Sequence, residues 1–285
     1  MDEVQRKIFI RDTFNTVAPG YDRPALRFFH LSAEHLAGLF ELAGDERVLD
    51  VATGTGAVAL TLARRLDRGH VTGIDMAEGM LGQAEAKAAA QRLSNVTFQP
   101  MDMTALQFPA GCFDCATAAF ALFFVEDMSA CLRGITTCLK PGGQVLICGF
   151  SGPSFSPNID MFLARIERYG VTVPPLSWKR LGDEALNAAL LSEAGLEDIH
   201  VVRRDLSYRL ADPEDWWDVL WYAGFRGLLG RLSEEDLRRF RSEHLAEIGA
   251  LATAQGIPLR VEVVYARGRK PGERHTGPRA PAPGV

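Results

Sequence analysis

Residues 47–60 read RVLDVATGTGAVAL, an apolar run that ends in a short glycine-rich segment and continues into a second apolar run. This pattern predicts a buried β-strand, a tight turn and the beginning of a helix. Gly54, Gly56 and Ala59 fit the spacing G-x-G-x-x-A. Asp75 follows the loop by about 20 residues, as in the βαβ units that bring their backbone close to a nucleotide-like ligand. The stretch therefore predicts a ligand site at the carboxyl end of its strand.

Strands and helices alternate along the chain on the carboxyl side of this stretch. Such an order is typical of a doubly wound α/β fold, with a mostly parallel sheet covered by helices on both faces. The runs that predict strands are 47–52, 70–75, 96–100, 113–120, 144–150, 197–208 and 259–267, and the segments that predict helices are 56–66, 77–92, 127–139 and 183–194.

Helical additions are predicted on either side of the alternating region. Residues 2–42 carry an apolar stripe at helical spacing, interrupted at Pro19-Gly20, which predicts an N-terminal helical lid. A helical cap is predicted before the last strand, with helices that begin at Asp212 and Ser233. The predicted division is a lid (1–45), a ligand-binding core (46–150), the rest of the sheet (151–268) with its substrate cap at about 211–257, and a disordered tail (269–285).

Composition and charge disfavour several classes of protein. The chain has 285 residues, 24% of them charged, and a formal net charge of −5, which offers no basic surface to nucleic acid or to a membrane. It has no apolar run long enough to cross a bilayer and no secretory signal, so we expect a cytoplasmic protein. Cys112 and Cys115 form a C-x-x-C without a second pair at ligand spacing, and no metal site is predicted.

The glycine loop by itself fits two cofactors, NAD and S-adenosylmethionine. Both need a close approach of the backbone, and both carry ribose hydroxyls that a carboxylate can bind. Asp50 lies at the end of the first predicted strand, where its charge would repel a pyrophosphate, which prefers bare N–H groups at a helix N-terminus. The ammonium of S-adenosylmethionine would instead be attracted. Asp50 therefore favours S-adenosylmethionine over NAD.

Five segments resemble the motifs of class I S-adenosylmethionine-dependent methyltransferases, in the same order. They are VLDVATGTGAVAL (48–60), GIDMAEGML (73–81), MDMTALQF (101–108), FDCATAAFALFFVED (113–127) and LKPGGQVLI (139–147). Within that class the chain is most similar to the ubiquinone/menaquinone C-methyltransferase group and its secondary-metabolism relatives. FNTVAPGYD (14–22) resembles the N-terminal stretch that folds over the cofactor in that group. The resemblance implies a seven-stranded Rossmann-like methyltransferase sheet with S-adenosylmethionine as its cofactor.

The same resemblance implies individual roles at the cofactor. Asp75 would bind the ribose hydroxyls and Met76 would pack on the adenine. Asp102 would accept a hydrogen bond from the adenine amino group, and Tyr21 would close over the site. The implied cofactor-binding residues are Asp50, Gly54, Thr55, Gly56, Asp75, Met76, Asp102, Met103, Ala119 and Tyr21.

Two departures from the quinone enzymes bear on the methyl acceptor. Ala119 stands where those enzymes often have a serine, and Phe123-Phe124 replaces a polar pair. With the aromatic residues of the cap, they favour transfer to carbon or oxygen of a small aromatic or apolar metabolite, as in secondary-metabolism tailoring. Methylation in quinone biosynthesis is the alternative. The candidate acceptor contacts are Phe123, Phe124, Trp217 and Trp221.

Methyl transfer from an activated cofactor requires mainly alignment and desolvation, so a general base is needed only if the acceptor must lose a proton. His244 and His30 are the candidates, although an apolar helix face such as that of His244 is more typical of core packing. The expected partner is a small-molecule acceptor, with neither nucleic acid nor membrane, and the chain is expected to be a monomer or a homodimer. An NAD-dependent oxidoreductase and an inactive cofactor-binding module are the more distant alternatives.

Overall fold

A seven-stranded sheet organises the computed structural model, which describes residues 2–272. The strand order is β3-β2-β1-β4-β5-β9-β6, and only β9 runs antiparallel to its neighbours β5 and β6. This topology confirms the predicted doubly wound, mostly parallel sheet. The strands are β1 (Arg47–Val51), β2 (His70–Asp75), β3 (Val96–Pro100), β4 (Phe113–Ala119), β5 (Leu139–Phe150), β6 (Glu197–Asp205), β7 (Tyr208–Leu210), β8 (Ile257–Leu259) and β9 (Glu262–Arg269).

Ten α-helices and four short 3-10 helices accompany these strands in residues 2–272. The α-helices are α1 (Glu3–Val17), α2 (Phe28–Ala37), α3 (Ala57–Ala63), α4 (Glu78–Ala90), α5 (Met128–Cys138), α6 (Asn158–Arg168), α7 (Glu184–Glu193), α8 (Pro213–Tyr222), α9 (Arg226–Leu229) and α10 (Glu234–Gly249). The 3-10 helices are Ala18–Gly20, Pro24–Leu26, Leu122–Phe124 and Ser177–Leu181. None of the described helices is long and apolar enough to span a bilayer.

The core lies around the central strands β1 and β4. Val48, Leu49 and Val51 of β1 have no solvent exposure, because β2 and β4 flank the strand and both faces of the sheet are covered. A strand buried on both faces is apolar along its whole length rather than on alternate residues. This explains why the run RVLDV predicts its strand so closely.

The structure corrects one strand prediction near the helical insertion. The predicted strand 197–208 is broken after β6, since Asp205 Oδ1 accepts a hydrogen bond from the Ser207 backbone N–H (2.8 Å) and turns the chain. The next residues form β7, which pairs with β8 in a separate two-stranded sheet. The predicted strand 259–267 accordingly spans the end of β8 and most of β9.

The carboxyl-terminal boundary of the sheet also differs from the prediction. Arg269 still pairs with Gln144 in β5, and the Lys270 ammonium donates to the carbonyl of Leu139 (2.7 Å). The tail predicted from residue 269 therefore begins too early. The remainder of that prediction, 273–285, lies outside the described residues.

The helical insertion between β7 and β8 begins as its sequence predicts. Asp212 Oδ1 accepts hydrogen bonds from the backbone N–H groups of Glu214 (2.8 Å) and Asp215 (3.1 Å) at the start of α8. Ser233 caps α10 in the same way by accepting from the N–H of Asp236. These side chains satisfy donors that a helix leaves without intrahelical partners.

We expect Asp212→Ala to lower the free energy of unfolding by about 1 kcal/mol, because the first turn of α8 loses its cap. Asp212→Asn keeps an acceptor oxygen and should retain most of the stability. Urea denaturation of the three proteins measures both effects, and an unchanged midpoint for Asp212→Ala would contradict this role of the side chain.

Candidate active site

A large cavity lies at the carboxyl ends of β1, β2 and β4, where β1 and β4 pair as neighbours in the sheet. It encloses about 1170 Å³, part of which is open to solvent, and α1 forms one of its walls. Open α/β sheets bind ligands at this position, because the loops after neighbouring parallel strands converge there.

The loop after β1 turns sharply at two glycines. Gly54 and Gly56 have positive φ angles of 55° and 82°, which favour residues without a side chain. A Cβ atom on Gly54 would meet no atom within 4 Å, because the residue faces the cavity. A Cβ on Gly56 would lie 3.0 Å from the Cβ of Ala84 in α4. The first glycine thus leaves room for a ligand, and the second allows the turn to pack against α4.

Asp50 is buried beneath this loop, with 1% of its surface exposed. Its carboxylate accepts hydrogen bonds from the Thr53 hydroxyl (2.6 Å), the Thr117 hydroxyl and the backbone N–H of Ala59 (3.1 Å). Burial raises its pKa to about 6, although the three donors act in the opposite direction. The group therefore changes its charge close to physiological pH.

Asp75 is the last residue of β2, and it contacts the glycine loop from this neighbouring strand. One oxygen accepts from the backbone N–H of Gly54 (2.9 Å), and the other accepts from that of Ala77 (2.9 Å). Burial raises the pKa of this carboxyl in spite of these backbone donors. Each oxygen keeps lone pairs free on the cavity side, an arrangement that can accept hydrogen bonds from two neighbouring hydroxyls.

Asp102 lies farther along the cavity, where α1 crosses it. Its Oδ1 accepts from the backbone and hydroxyl of Thr104 (both 2.8 Å), and its Oδ2 pairs with the Lys7 ammonium at 2.9 Å. Burial acts to raise the pKa of Asp102, but Lys7 and Thr104 outweigh it and hold the pKa below its usual range. The contact from Lys7 was not predicted, because no local pattern links α1 to a loop some 95 residues away.

A second unpredicted residue, Asp22, fastens the segment between α1 and α2 to the cavity. Its Oδ1 accepts from the Thr55 hydroxyl (2.9 Å) and lies 3.1 Å from His30 Nε2, while its Oδ2 pairs with the Lys87 ammonium (2.7 Å). Burial acts to raise its pKa, but these partners lower it to about 2. The signal in the sequence is its place directly after Tyr21, in the stretch FNTVAPGYD.

Aromatic rings also line the cavity. Tyr21 stacks on Phe29 with ring centroids 4.8 Å apart, and Phe29 contacts Phe120 edge-on at 5.3 Å. Phe14 meets Tyr21 at 6.2 Å and Phe124 at 5.6 Å. All five side chains line the cavity as one connected set of rings, which we call the aromatic wall.

The cavity gathers the predicted cofactor residues, with one exception. Gly56 lies behind the loop and does not line the space. The predicted residues that line it are Asp50, Gly54, Thr55, Asp75, Met76, Asp102, Met103, Ala119 and Tyr21.

Of the residues predicted to contact the acceptor, only Phe124 lines the cavity. Phe123 is buried beneath it, with 4% of its surface exposed. Trp217 stacks on Trp221 at 5.6 Å and packs against Phe240 of α10, inside the helical insertion. The structure therefore places Phe123 in the core and the aromatic face of α8 against its own neighbours, away from this cavity.

Neither candidate base lines the cavity. His244 is completely buried in the insertion, where its Nε2 accepts a hydrogen bond from the Trp216 indole (2.9 Å). Burial lowers its pKa to about 4, so the ring is neutral at physiological pH. His30 is half exposed and pairs with Asp22. Both histidines have structural partners, and the geometry gives neither of them access to a reacting atom in this cavity.

Comparison with known proteins places these features in a family. Residues 48–143 match a family described as "Methyltransferase domain". The chain is 28% identical to a nocamycin O-methyltransferase of Saccharothrix syringae, over 90% of this chain and 96% of that relative. It is 31% identical to a ubiquinone/menaquinone biosynthesis C-methyltransferase of Geobacter sulfurreducens, over 71% of this chain and 85% of that relative.

A solved structure shares the fold. The YcgJ protein of Bacillus subtilis aligns with a TM-score of 0.58 and 21% identity, over 85% of this chain and 99% of that one. The sequence relatives are named for methyl transfer, which favours that activity over an NAD-dependent oxidoreductase and an inactive module. The chain belongs to the class I S-adenosylmethionine-dependent methyltransferases.

Proposed function

We propose that the enzyme transfers the methyl group to carbon or oxygen of a flat, apolar or aromatic small molecule, as a tailoring step of secondary metabolism. The observation that supports this is the mixed lining of the cavity. It combines carboxylates and open backbone with the connected rings of the aromatic wall. A polar, charged cofactor and an apolar acceptor require these two different environments.

The carboxylate-lined part of the cavity fits S-adenosylmethionine in charge. The carboxylates of Asp50, Asp75 and Asp102 line it, and the open face of Gly54 leaves space beside them. This negative surface suits a ligand that carries a sulfonium and an ammonium and lacks phosphate. In our proposal Asp50 attracts the ammonium and Asp75 accepts from the ribose hydroxyls.

The remaining predicted residues complete this proposed cofactor site. Asp102 would accept from the adenine amino group while it remains paired with Lys7, since a carboxylate has lone pairs for more than two donors. Met76 and Met103 would pack against the adenine. Thr55, Ala119 and Tyr21 would line the methionyl part.

The cofactor supplies an already activated methyl group, so the chain mainly holds the acceptor in line and excludes water. α1 and the segment with Asp22 cover the cavity. No histidine lines it within residues 2–272, and burial raises the pKa of Tyr21, which therefore remains protonated. The proposed acceptor accordingly carries its own acidic group, such as an enol or a phenol, and the reaction needs no base from the protein.

The relatives support acceptors of this kind. The nocamycin enzyme, named for a natural product, aligns along almost its whole length, and the other relative is named for quinone biosynthesis. Ala119 stands where the quinone enzymes are expected to have a serine. Phe124 replaces one residue of the polar pair expected in those enzymes. We therefore favour a tailoring reaction and keep quinone C-methylation as the alternative.

Turnover tests the proposal directly. We expect release of S-adenosylhomocysteine when S-adenosylmethionine is offered with hydroxynaphthalenes or aryl 1,3-diketones, because such rings fit the aromatic wall. Aliphatic amines of similar size serve as controls and should give no release above background. Turnover with the amines alone would contradict the proposed acceptor class.

Cofactor binding tests the role of Asp75. S-adenosylmethionine and S-adenosylhomocysteine should raise the melting temperature of the protein, while NAD should not. Asp75→Ala should abolish the shift, because the ribose hydroxyls lose their acceptor. Asp12→Ala, which removes an exposed carboxylate of α1 that pairs with Arg11, is the control and should keep it. An unchanged shift for Asp75→Ala would show that the ribose lies elsewhere.

The pH dependence of binding tests the role of Asp50. Its pKa of about 6 means that the carboxylate is charged at pH 7.5 and mostly protonated at pH 5. S-adenosylhomocysteine should therefore bind roughly tenfold more weakly at pH 5 than at pH 7.5, since its ammonium loses a negative partner. Isothermal titration measures this change. Asp50→Asn should bind more weakly at pH 7.5 and show a flatter profile, and an identical profile for the variant would contradict the pairing.

A further inference from the structure

The helical insertion contacts the N-terminal segment that covers the cavity, and not the cavity itself. The structure describes the whole insertion, residues 211–257, and none of these residues lines the cavity. The carboxyl end of α8 and the first turn of α9 pack instead against the chain between α1 and α2 and against α1. An effect of the insertion on the reaction must therefore pass through the N-terminal segment.

Tyr222, the last residue of α8, lies directly against Gly20. A Cβ atom on Gly20 would be 2.1 Å from the tyrosine ring, a distance at which two unbonded carbon atoms cannot stay. The contact therefore depends on the absence of a side chain at position 20. The ring of Tyr222 also packs against the same small apolar cluster as Phe14 and Tyr21 of the aromatic wall.

Two further contacts join the insertion to the N-terminal segment. Asp218, one turn earlier in α8, accepts a hydrogen bond from the guanidinium of Arg23 (3.0 Å), and this guanidinium lies 4.6 Å from the centroid of the Tyr222 ring. In α9, a Cβ atom on Gly227 would lie 2.9 Å from the ring of Phe9 in α1. Because the ion pair is largely exposed, its contribution is small, and the ring of Tyr222 provides the main contact.

The contacts with the insertion enclose two residues of the proposed cofactor site. Gly20 and Arg23 stand immediately before and after Tyr21 and Asp22. Tyr21 lines the cavity, and Asp22 accepts a hydrogen bond from the Thr55 hydroxyl in the glycine loop (2.9 Å). The insertion thus holds the chain on both sides of the pair that reaches the cavity and its glycine loop.

We propose that Tyr222 is a positioning residue for cofactor binding, which acts by holding residues 20–23 closed over the cavity. The insertion accordingly serves the reaction through Tyr21 and Asp22, without contact to the cofactor or the acceptor. A ligand that binds only the closed form has an apparent Kd that rises as the population of that form falls. This inference rests on the proposed cofactor site and adds a residue outside the cavity that controls it.

Calorimetric titration with S-adenosylhomocysteine measures the Kd of each variant, and melting without ligand measures its stability. Tyr222→Ala removes the ring from Gly20 and should raise the Kd about tenfold, which corresponds to a fall of the closed population to about a tenth. Tyr222→Phe keeps the ring and should bind within about twofold of wild type. Tyr169→Ala is the matched control, because this half-buried tyrosine packs on Phe240 of the same insertion at 5.5 Å between ring centroids. It should lower the melting temperature and leave the Kd within about twofold.

Gly20→Ala tests the same contact from the N-terminal segment, because its methyl group would occupy the place of the Tyr222 ring. This variant keeps the tyrosine and should also raise the Kd about tenfold. The double variant Gly20→Ala/Tyr222→Ala should bind as weakly as Tyr222→Ala and no more weakly, since both substitutions break one contact.

Three results would overturn the positioning role. The first is an unchanged Kd in either single variant, and the second is a rise of about a hundredfold in the double variant, which would mean that the two residues act independently. The third is an equal rise in Tyr169→Ala, which would assign the effect to stability alone. If Tyr222→Ala or Gly20→Ala fails to fold, as judged by its melting curve, the other decides. Failure of S-adenosylhomocysteine to bind the wild-type protein overturns the proposed cofactor site instead.

Discussion

The buried carboxylate of Asp50 holds together the parts of the enzyme that form its cavity. It joins the end of β1 to Thr53 in the glycine loop, to Thr117 in β4 and to the first turn of α3 at Ala59. Because its pKa rises from 3.8 to about 6 on folding, its contribution to stability falls as the pH rises through that interval. The site therefore keeps a buried charge at a cost in stability, which a bound ammonium would offset.

The residues that line the cavity come from different parts of the chain. The carboxylates stand at the ends of parallel strands, or directly after them, and the sheet brings these ends to one edge. The rings of Phe14, Tyr21 and Phe29 come instead from the N-terminal segments that cover the opening. Lys7 fastens α1 to Asp102, and Asp22 fastens the following segment to the glycine loop at Thr55. The sheet and its loops thus supply the carboxylates and two rings of the aromatic wall, and the N-terminal segments supply the other three rings.

The local sequence predicted the strands and helices whose boundaries depend only on residues nearby in the sequence. The predicted bounds of β2 and β3 coincide with the structure, because both strands are short runs limited by polar or glycine-containing turns. α6 was not predicted, because its short amphipathic pattern follows a loop rich in proline and serine. The break after β6 was also missed, since it depends on a turn at Asp205 and on pairing with a strand about 50 residues away.

The sequence by itself determined the class of fold and the kind of cofactor, because strand periodicity and the spacing of glycines and carboxylates are local properties. Only the tertiary structure decided which aromatic side chains face the cavity. Trp217 and Trp221 pack within the insertion, whereas Phe29 and Phe120 line the cavity. An aromatic side chain gains the same burial against either surface, so its location depends on which distant elements pack together. The aromatic wall could therefore be recognised only from the folded chain.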